Sequence, residues 1–417
     1  MNILFDFLTF RTKTGAGEFG RSILYELLSK IKNNKLHKVY ALYDSNYGIS
    51  YEDLTKENLT KQNDVTFIDC KNDNITNITK KYNIDKFFIS CGHYFQGKKD
   101  IIGVQCETIC VIHDLYGEDN VKNKIYHYMD LIEPDANEQA IFRFGRLLRK
   151  IPFFRSFLHK IDKFGYDYIC SGGIEKYSSA LYHIKPAIEL IKSNPNCKII
   201  TVSEYSKYSI CYNFKIPIKN IHVLYSPERL YIHQDTTKNA KLERLISQKT
   251  KYYLMVSASR KAKNPYKVIN AFKQYCKINT EAFLVTVGNI QSQFENHICL
   301  PFLEDNDLDL AYKNCYALIF PSFYEGFGYP PLEAMRHGKP ILCSNTTSMP
   351  EIYEDAPIYF SPFYESGIFK SLFELTDDNY TTYSEKSLCQ YHKIKNRQTK
   401  DLQKIIKLIL SPKHLCS

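Results

Sequence analysis

The sequence predicts an α/β protein built from two parallel-sheet domains in tandem. Three observations carry this: apolar runs of strand length recur along the chain, polar or helix-patterned stretches separate them, and the series occurs twice with a lysine-rich segment between. At roughly 100–200 residues per domain, 417 residues suit two or three domains. Apolar residues at 44% and charged residues at 24% are those of an ordinary globular chain, which excludes wholesale disorder.

In chain order, the first strand is read in NILFDFL (2–8). TKTGAGEFGR follows as a loop, and Ile23, Leu24, Leu27, Leu28 and Ile31 then repeat at helical spacing. VYALY at Val39, VTFI at Val65, KFFIS at Phe87 and TICVIHD ending at Asp114 supply further strands. From about 115 to 196 the rhythm pauses in a stretch that is first acidic, then basic and aromatic, and a helical insertion is expected there. KIITVS (198–203) resumes the strands, with Ser203 placed to start a helix and Glu204 in its first turn. NIHVLYS (220–226) follows, and DTTKNAKLERLISQKTK (235–251) reads as the linker. The second series runs KYYLMVSAS (251–259, strand), NPYKVINAFKQY (264–275, helix), AFLVTVG (282–288, strand), DLDLAYKNC (307–315, helix) and YALIFPS (316–322, strand). PPLEAMRHG (330–338) is a helix ended by glycine, KPILCSN and PIYFSP are short strands, and DLQKIIKLIL (401–410) closes the series as an amphipathic helix. The domains expected are 1–228 with the insertion, 229–395, and a last helix at 396–417 packing back toward the first domain.

Lys and Arg number 55 against 45 Asp and Glu, and the resulting +10 points to an anionic partner. No nucleic-acid motif accompanies that charge, so nucleic acid is not the partner expected. Thirteen cysteines without a CxxC pair or zinc spacing fit a reducing compartment. MNILFDFLTF lacks a basic leader and carries Asp6 inside its apolar run, so it reads as a strand and not a signal peptide. No uncharged apolar run nears the ~18 residues of a membrane span. A cytoplasmic, non-spanning protein is expected.

The chemistry concentrates in PSFYEGFGYPPLEAMRHGKPILCSN (321–345). A strand ends, a glycine loop follows and a helix starts; in open α/β sheets ligands bind at such strand ends. Gly326 and Gly328 let backbone N–H groups approach a ligand, and the helix N-terminus favours negative charge. Glu325 and Glu333 each accept two hydroxyl hydrogen bonds when ionised, which suits a polyhydroxyl ligand.

The run EGFG-x-P-x-LEAM-x2-G-x-P-x3-SN, followed by SMPEI, resembles the family 4 retaining glycosyltransferases of the GT-B fold. SRKAKNPYKVINAF resembles their lysine-bearing segment before the first helix of the second domain. The resemblance makes Lys263 the phosphate-contacting lysine, with Arg260 or Lys261 as its partner cation. It gives Glu333 the nucleotide ribose, and Glu325 with the amides of Gly326, Phe327 and Gly328 the donor sugar. GAGEFGR resembles the glycine loop of the first domain, a donor or acceptor contact at Gly15, Ala16 and Gly17. CVIHDLYG puts His113 at a strand end, where the family carries a histidine beside the transferred sugar. SEYSK (203–207) resembles a further segment, whose match reflects helix capping as much as ligand contact. VLYSPERL stands where the family shows a Tyr-Asn-Gly-Val-Asp turn, and the insertion has no counterpart.

The activity implied is retaining hexosyl transfer from a nucleotide-diphosphate-sugar, a substrate and not a cofactor, in the cleft between two Rossmann-like domains. Lys263 with Arg260 or Lys261 takes up charge on the leaving diphosphate, so no metal is expected. The acceptor implied is a hydroxyl of a glycan or lipid-linked oligosaccharide in surface polysaccharide synthesis. The alternatives are a catalytically silent GT-B module of a glycan-assembly complex and a sugar-nucleotide epimerase or phosphorylase. The segment AIFRFGRLLRKIPFFRSFLHKI (140–161) contains no acidic residue and sets Phe153, Phe154, Phe157, Leu158 and Ile161 on one arc beside its arginines. It predicts peripheral contact with an anionic membrane surface on the inner face of the cytoplasmic membrane.

Overall fold

The structure, a computed structural model, describes residues 1–8, 15–32, 36–45, 65–71, 73–95, 99–115, 175–229 and 236–412. Two compact units result. The first comprises Met1–Thr201, Lys207–His222 and Ile406–Ser417, and the second Val202–Ser206 and Val223–Ile405.

The first unit holds β1 (Asn2–Asp6), α1 (Gly15–Ile31), β2 (Lys38–Tyr43), β3 (Val65–Asp69), α2 (Ile75–Lys81), β4 (Lys86–Ile89), β5 (Glu107–Val111), α3 (Glu175–Ser193) and β6 (Cys197–Thr201). Beyond them run α4 (Glu204–Phe214) and β7 (Ile221–Val223), and the sheet order is β3-β2-β1-β4-β5-β6-β7. The pairings from β3 through β6 are parallel. Strands buried on both faces of a parallel sheet read as continuous apolar runs, which is how they announced themselves in the sequence. Ile184, Ala187, Ile188 and Leu190 of α3 pack into the core with Leu4, Phe87, Ile89 and Cys110. The end of the expected insertion is therefore a layer helix of this sheet; residues 116–174, with the 140–161 segment, lie outside the described residues.

Lys86 is fully buried in this unit, where burial pushes its ammonium down from the ordinary lysine range against the pull of Glu107. Its Nζ donates to the carbonyls of Leu408 and Ser411, both at 2.8 Å, and lies 3.4 Å from Glu107 Oε2. Carbonyls at a helix C-terminus lack helical donors and carry partial negative charge, so they suit a buried cation.

The second unit holds α5 (Ala240–Ser247), β8 (Tyr252–Met255), α6 (Pro265–Tyr275), β9 (Phe283–Val287), β10 (His297–Leu300), α7 (Asp305–Asn314), β11 (Ala317–Phe320) and α8 (Tyr329–Met335). There follow β12 (Ile341–Ser344), α9 (Met349–Tyr353), β13 (Ile358–Phe360), α10 (Glu365–Glu374) and α11 (Asp377–Leu410), whose end from Ile406 counts with the first unit. Its sheet is wholly parallel in the order β10-β9-β8-β11-β12-β13. Met255, Val268, Phe272, Leu284, Ile319, Leu342 and Ile368 form its core. Tyrosine supplies the bulk that tryptophan lacks here: Tyr252, Tyr253, Tyr312 and Tyr353 are fully buried, and Tyr252 satisfies its hydroxyl on the Ala311 carbonyl at 2.8 Å.

Two expectations are corrected. Gly15, Ala16 and Gly17 form the first turn of α1, not a loop. The lysine-rich 235–251 segment contains α5, because Asn239 caps it by accepting from Leu242 N–H at 3.1 Å while Leu242 and Leu245 are buried. Among the described residues, no helix is long and apolar enough to cross a membrane.

Candidate functional site

Strand order reverses between β8 and β11 in the second sheet, the switch point beside whose strand ends open α/β sheets bind ligands. Lys263 follows β8 in a one-turn helix, Lys261–Lys263, and Glu325 follows β11. The Lys263 ammonium is ion-paired to the Glu325 carboxylate across that point, and both side chains are largely buried. Lys263 also lies over the Phe320 ring, 5.1 Å from its centroid. Arg260 is exposed beside them, and the Lys261 side chain lies outside the described residues.

The glycine loop is held from two sides. Thr347 Oγ1 accepts from Glu325 N–H at 3.1 Å, Ser348 Oγ donates to the Glu325 carbonyl at 2.9 Å, and Thr346 Oγ1 donates to the Ser322 carbonyl at 3.1 Å. Tyr353, whose phenol burial pushes far above its ordinary range, donates to the Gly328 carbonyl. Gly328 caps α8 at φ +81°, and a Cβ there would lie 2.8 Å from Met349 Cε. Glycine is thus favoured at 328, and the 326–328 backbone is tied at both its ends. Glu351, in the SMPEI segment, accepts from the N–H groups of Glu204 and Tyr205 at 2.7 and 2.9 Å, which satisfies the first turn of α4.

Glu333 is buried on α8. Arg229 Nη1 donates to Glu333 Oε1 at 3.4 Å, and its Nη2 donates to Asp305 Oδ1 at 2.6 Å. Arg229 belongs to the VLYSPERL stretch and was not read as a site residue. The visible signal was that departure from the family's pattern.

In the first sheet the reversal falls between β1 and β4. Asp6 ends β1 and Ser90 follows β4; both are fully buried, and Ser90 Oγ donates to Asp6 Oδ2 at 3.0 Å. Asp6 also accepts from Leu8 N–H at 2.8 Å, yet burial pushes its carboxyl up to about 6. His113 Nε2 lies 2.9 Å from the Ser90 carbonyl, an acceptor, which places the proton on Nε2. Burial holds the imidazole below its ordinary range, opposed by Ser90 and Asp114, and Phe19 packs edge-on at 4.7 Å. Sequence reasoning named His113 and missed Asp6 and Ser90. Asp6 was visible as a charge inside an apolar strand, and Ser90 had no signal at all.

Two doubly wound α/β units, each with polar side chains gathered at its switch point, are the architecture of the GT-B fold. Residues 237–361 match the family described as "Glycosyl transferases group 1". The chain is 26% identical over 181 residues to an O-antigen chain mannosyltransferase, RfbU, of Salmonella typhimurium, covering 40% of this chain and 47% of that one. It is 48% identical over 63 residues to O-antigen chain mannosyltransferase B of Escherichia coli, covering 15% and 16%. The matches thus span less than half the length of either relative. The fold is similar to that of HepE from Anabaena, solved in complex with UDP and glucose, with a TM-score of 0.62 at 12% identity over 99% of this chain and 100% of that one.

Proposed function

We propose that the protein is a glycosyltransferase of surface polysaccharide synthesis, moving a sugar from a nucleotide-diphosphate-sugar to a glycan or lipid-linked hydroxyl with retention of configuration. The observation that carries this reading is the Lys263–Glu325 pair at the β8/β11 switch point beside the tied 326–328 backbone. A cation and oriented amides there suit a diphosphate whose charge grows as the sugar leaves. Glu333 holds the ribose hydroxyls and Glu325 the sugar hydroxyls, each carboxylate accepting from two O–H groups. The acceptor's proton passes to the departing phosphate oxygen, so no separate base is needed. His113, kept neutral with its proton on Nε2, contributes a hydroxyl contact in the first unit. The mannosyltransferase relatives favour a hexose donor, and the UDP complex of HepE favours a nucleoside diphosphate.

A panel of UDP- and GDP-sugars, GDP-mannose included, tests the reading: turnover or slow donor hydrolysis is expected. Binding without either would favour a silent glycan-assembly module. Activity should survive EDTA, and a loss rescued by metal would overturn the metal-free part.

A further inference from the structure

We infer that Arg229 is a positioning residue for the Glu333 carboxylate and thereby sets the preference of the second unit for a ribose over a 2′-deoxyribose. The inference rests on the proposed role of Glu333 and adds the group that makes it work. Glu333 is 6% exposed, and a carboxylate so buried is costly unless a cation and hydrogen bonds compensate it. Arg229, itself 14% exposed, supplies both through Nη1. A carboxylate has about four lone-pair directions, so one bond to Arg229 leaves room for two ribose hydroxyls.

The guanidinium is held in place by its own surroundings. Its second arm is the 2.6 Å bond to Asp305, which opens α7 and is half-exposed. Upstream, Tyr329 donates to the Pro227 carbonyl at 2.9 Å, and Tyr329 and Glu333 are four residues apart on α8, hence on one face. Glu228 accepts from Tyr391 at 2.6 Å and pairs with Lys395 at 3.2 Å, both on α11. Gln398 donates to the Ser226 carbonyl at 2.6 Å. Each residue from 226 to 229 is thus tied to α7, α8 or α11, and the planar fork of Arg229 reaches Glu333 from a fixed root. Arg336, one turn further on, is committed to Asp309, which also lies 2.7 Å from His337 Nε2. A lysine at 229 would offer a point charge without the fork that joins two carboxylates.

The test is calorimetric titration of UDP against 2′-deoxy-UDP, and GDP against 2′-deoxy-GDP, with inorganic pyrophosphate as the ribose-free probe. Wild type should prefer the ribose form of its nucleotide by about tenfold or more, the scale of a hydrogen bond to a charged group. Arg229→Gln should shrink that preference to about threefold or less while pyrophosphate affinity stays within about twofold; Arg229→Lys should fall between. If the preference vanishes in Glu333→Gln but persists in Arg229→Gln, the inference is wrong and the role of Glu333 stands. If wild type shows no preference, or Glu333→Gln keeps it, the role of Glu333 falls and takes the inference with it. Should Arg229→Gln not fold, Arg229→Lys decides: an undiminished ribose preference overturns the inference.

Discussion

Lys263 and Glu325 are ion-paired, so a diphosphate bound as proposed would have to take the ammonium from the carboxylate. Two unit charges about 4 Å apart interact by about 4 kcal/mol at an effective dielectric constant of about 20. Part of the attraction between Lys263 and a phosphate offsets the release of Glu325. The net loss in Lys263→Met should therefore be about 2–3 kcal/mol, or roughly 30–150-fold in diphosphate affinity. The free nucleoside, which carries no such charge, should change by less than about threefold. The pair also predicts a rescue. Lys263→Met leaves the largely buried Glu325 carboxylate facing the incoming anion, so adding Glu325→Gln should restore roughly tenfold of the lost affinity, though not turnover. Calorimetry of the nucleoside and the nucleoside diphosphate on wild type, Lys263→Met and the double variant reads all of this. Equal weakening of both ligands would remove Lys263 from the phosphates. A double variant no better than Lys263→Met would show that Glu325 does not face them.

Three further outcomes follow from the geometry. Glu325→Ala and Glu333→Ala should each lower kcat/KM by ~10²-fold or more with an unchanged folded signal, and near-normal rates in both would end the assignment. Gly328→Ala forces a Cβ onto a φ of +81° against Met349, and should cost about 1–2 kcal/mol, seen as a lower Tm with weaker donor binding. His297 is buried, with Nε2 2.9 Å from Thr286 Oγ1 and Nδ1 accepting from Gln293 N–H at 3.2 Å, and burial lowers its imidazole from 6.5 to about 4. The unfolded chain takes up that proton first, so this contribution, about 3 kcal/mol, is complete above about pH 6.5 and is lost as pH falls toward 4. Denaturant midpoints of wild type and His297→Gln across that window check it: parallel pH slopes would mean the ring is not held neutral.

Most of the fold was legible because the central strands of both sheets are parallel and buried on both faces, which writes them as uninterrupted apolar runs. Two of the elements missed carry no clear periodic signal. HICL (297–300) alternates weakly and hides a histidine in the core as β10, and α5 sits inside a segment whose lysines masked Leu242 and Leu245. Glu325, Glu333 and Lys263 could be named from the sequence because one contiguous motif or one short segment carries each. Arg229 and Asp305 escaped because Arg229 meets Glu333 across 104 positions and Asp305 across 76, pairings that only the tertiary structure makes. Asp6 and Ser90 meet across 84 positions for the same reason.

The clamp on Lys86 bears on the order in which the chain can fold during synthesis. The first unit's strands end at Val223, but the acceptors that receive its buried ammonium, Leu408 and Ser411, leave the ribosome roughly 180 residues later. At about 5–20 residues per second that interval is roughly 10–40 s, during which a lysine destined for the core has none of the helix-end carbonyls that will hold it. The first unit to be translated is therefore the last to be finished. A released chain truncated just before Leu408 should hold the second unit folded and the first one loose, a difference that limited proteolysis would read directly.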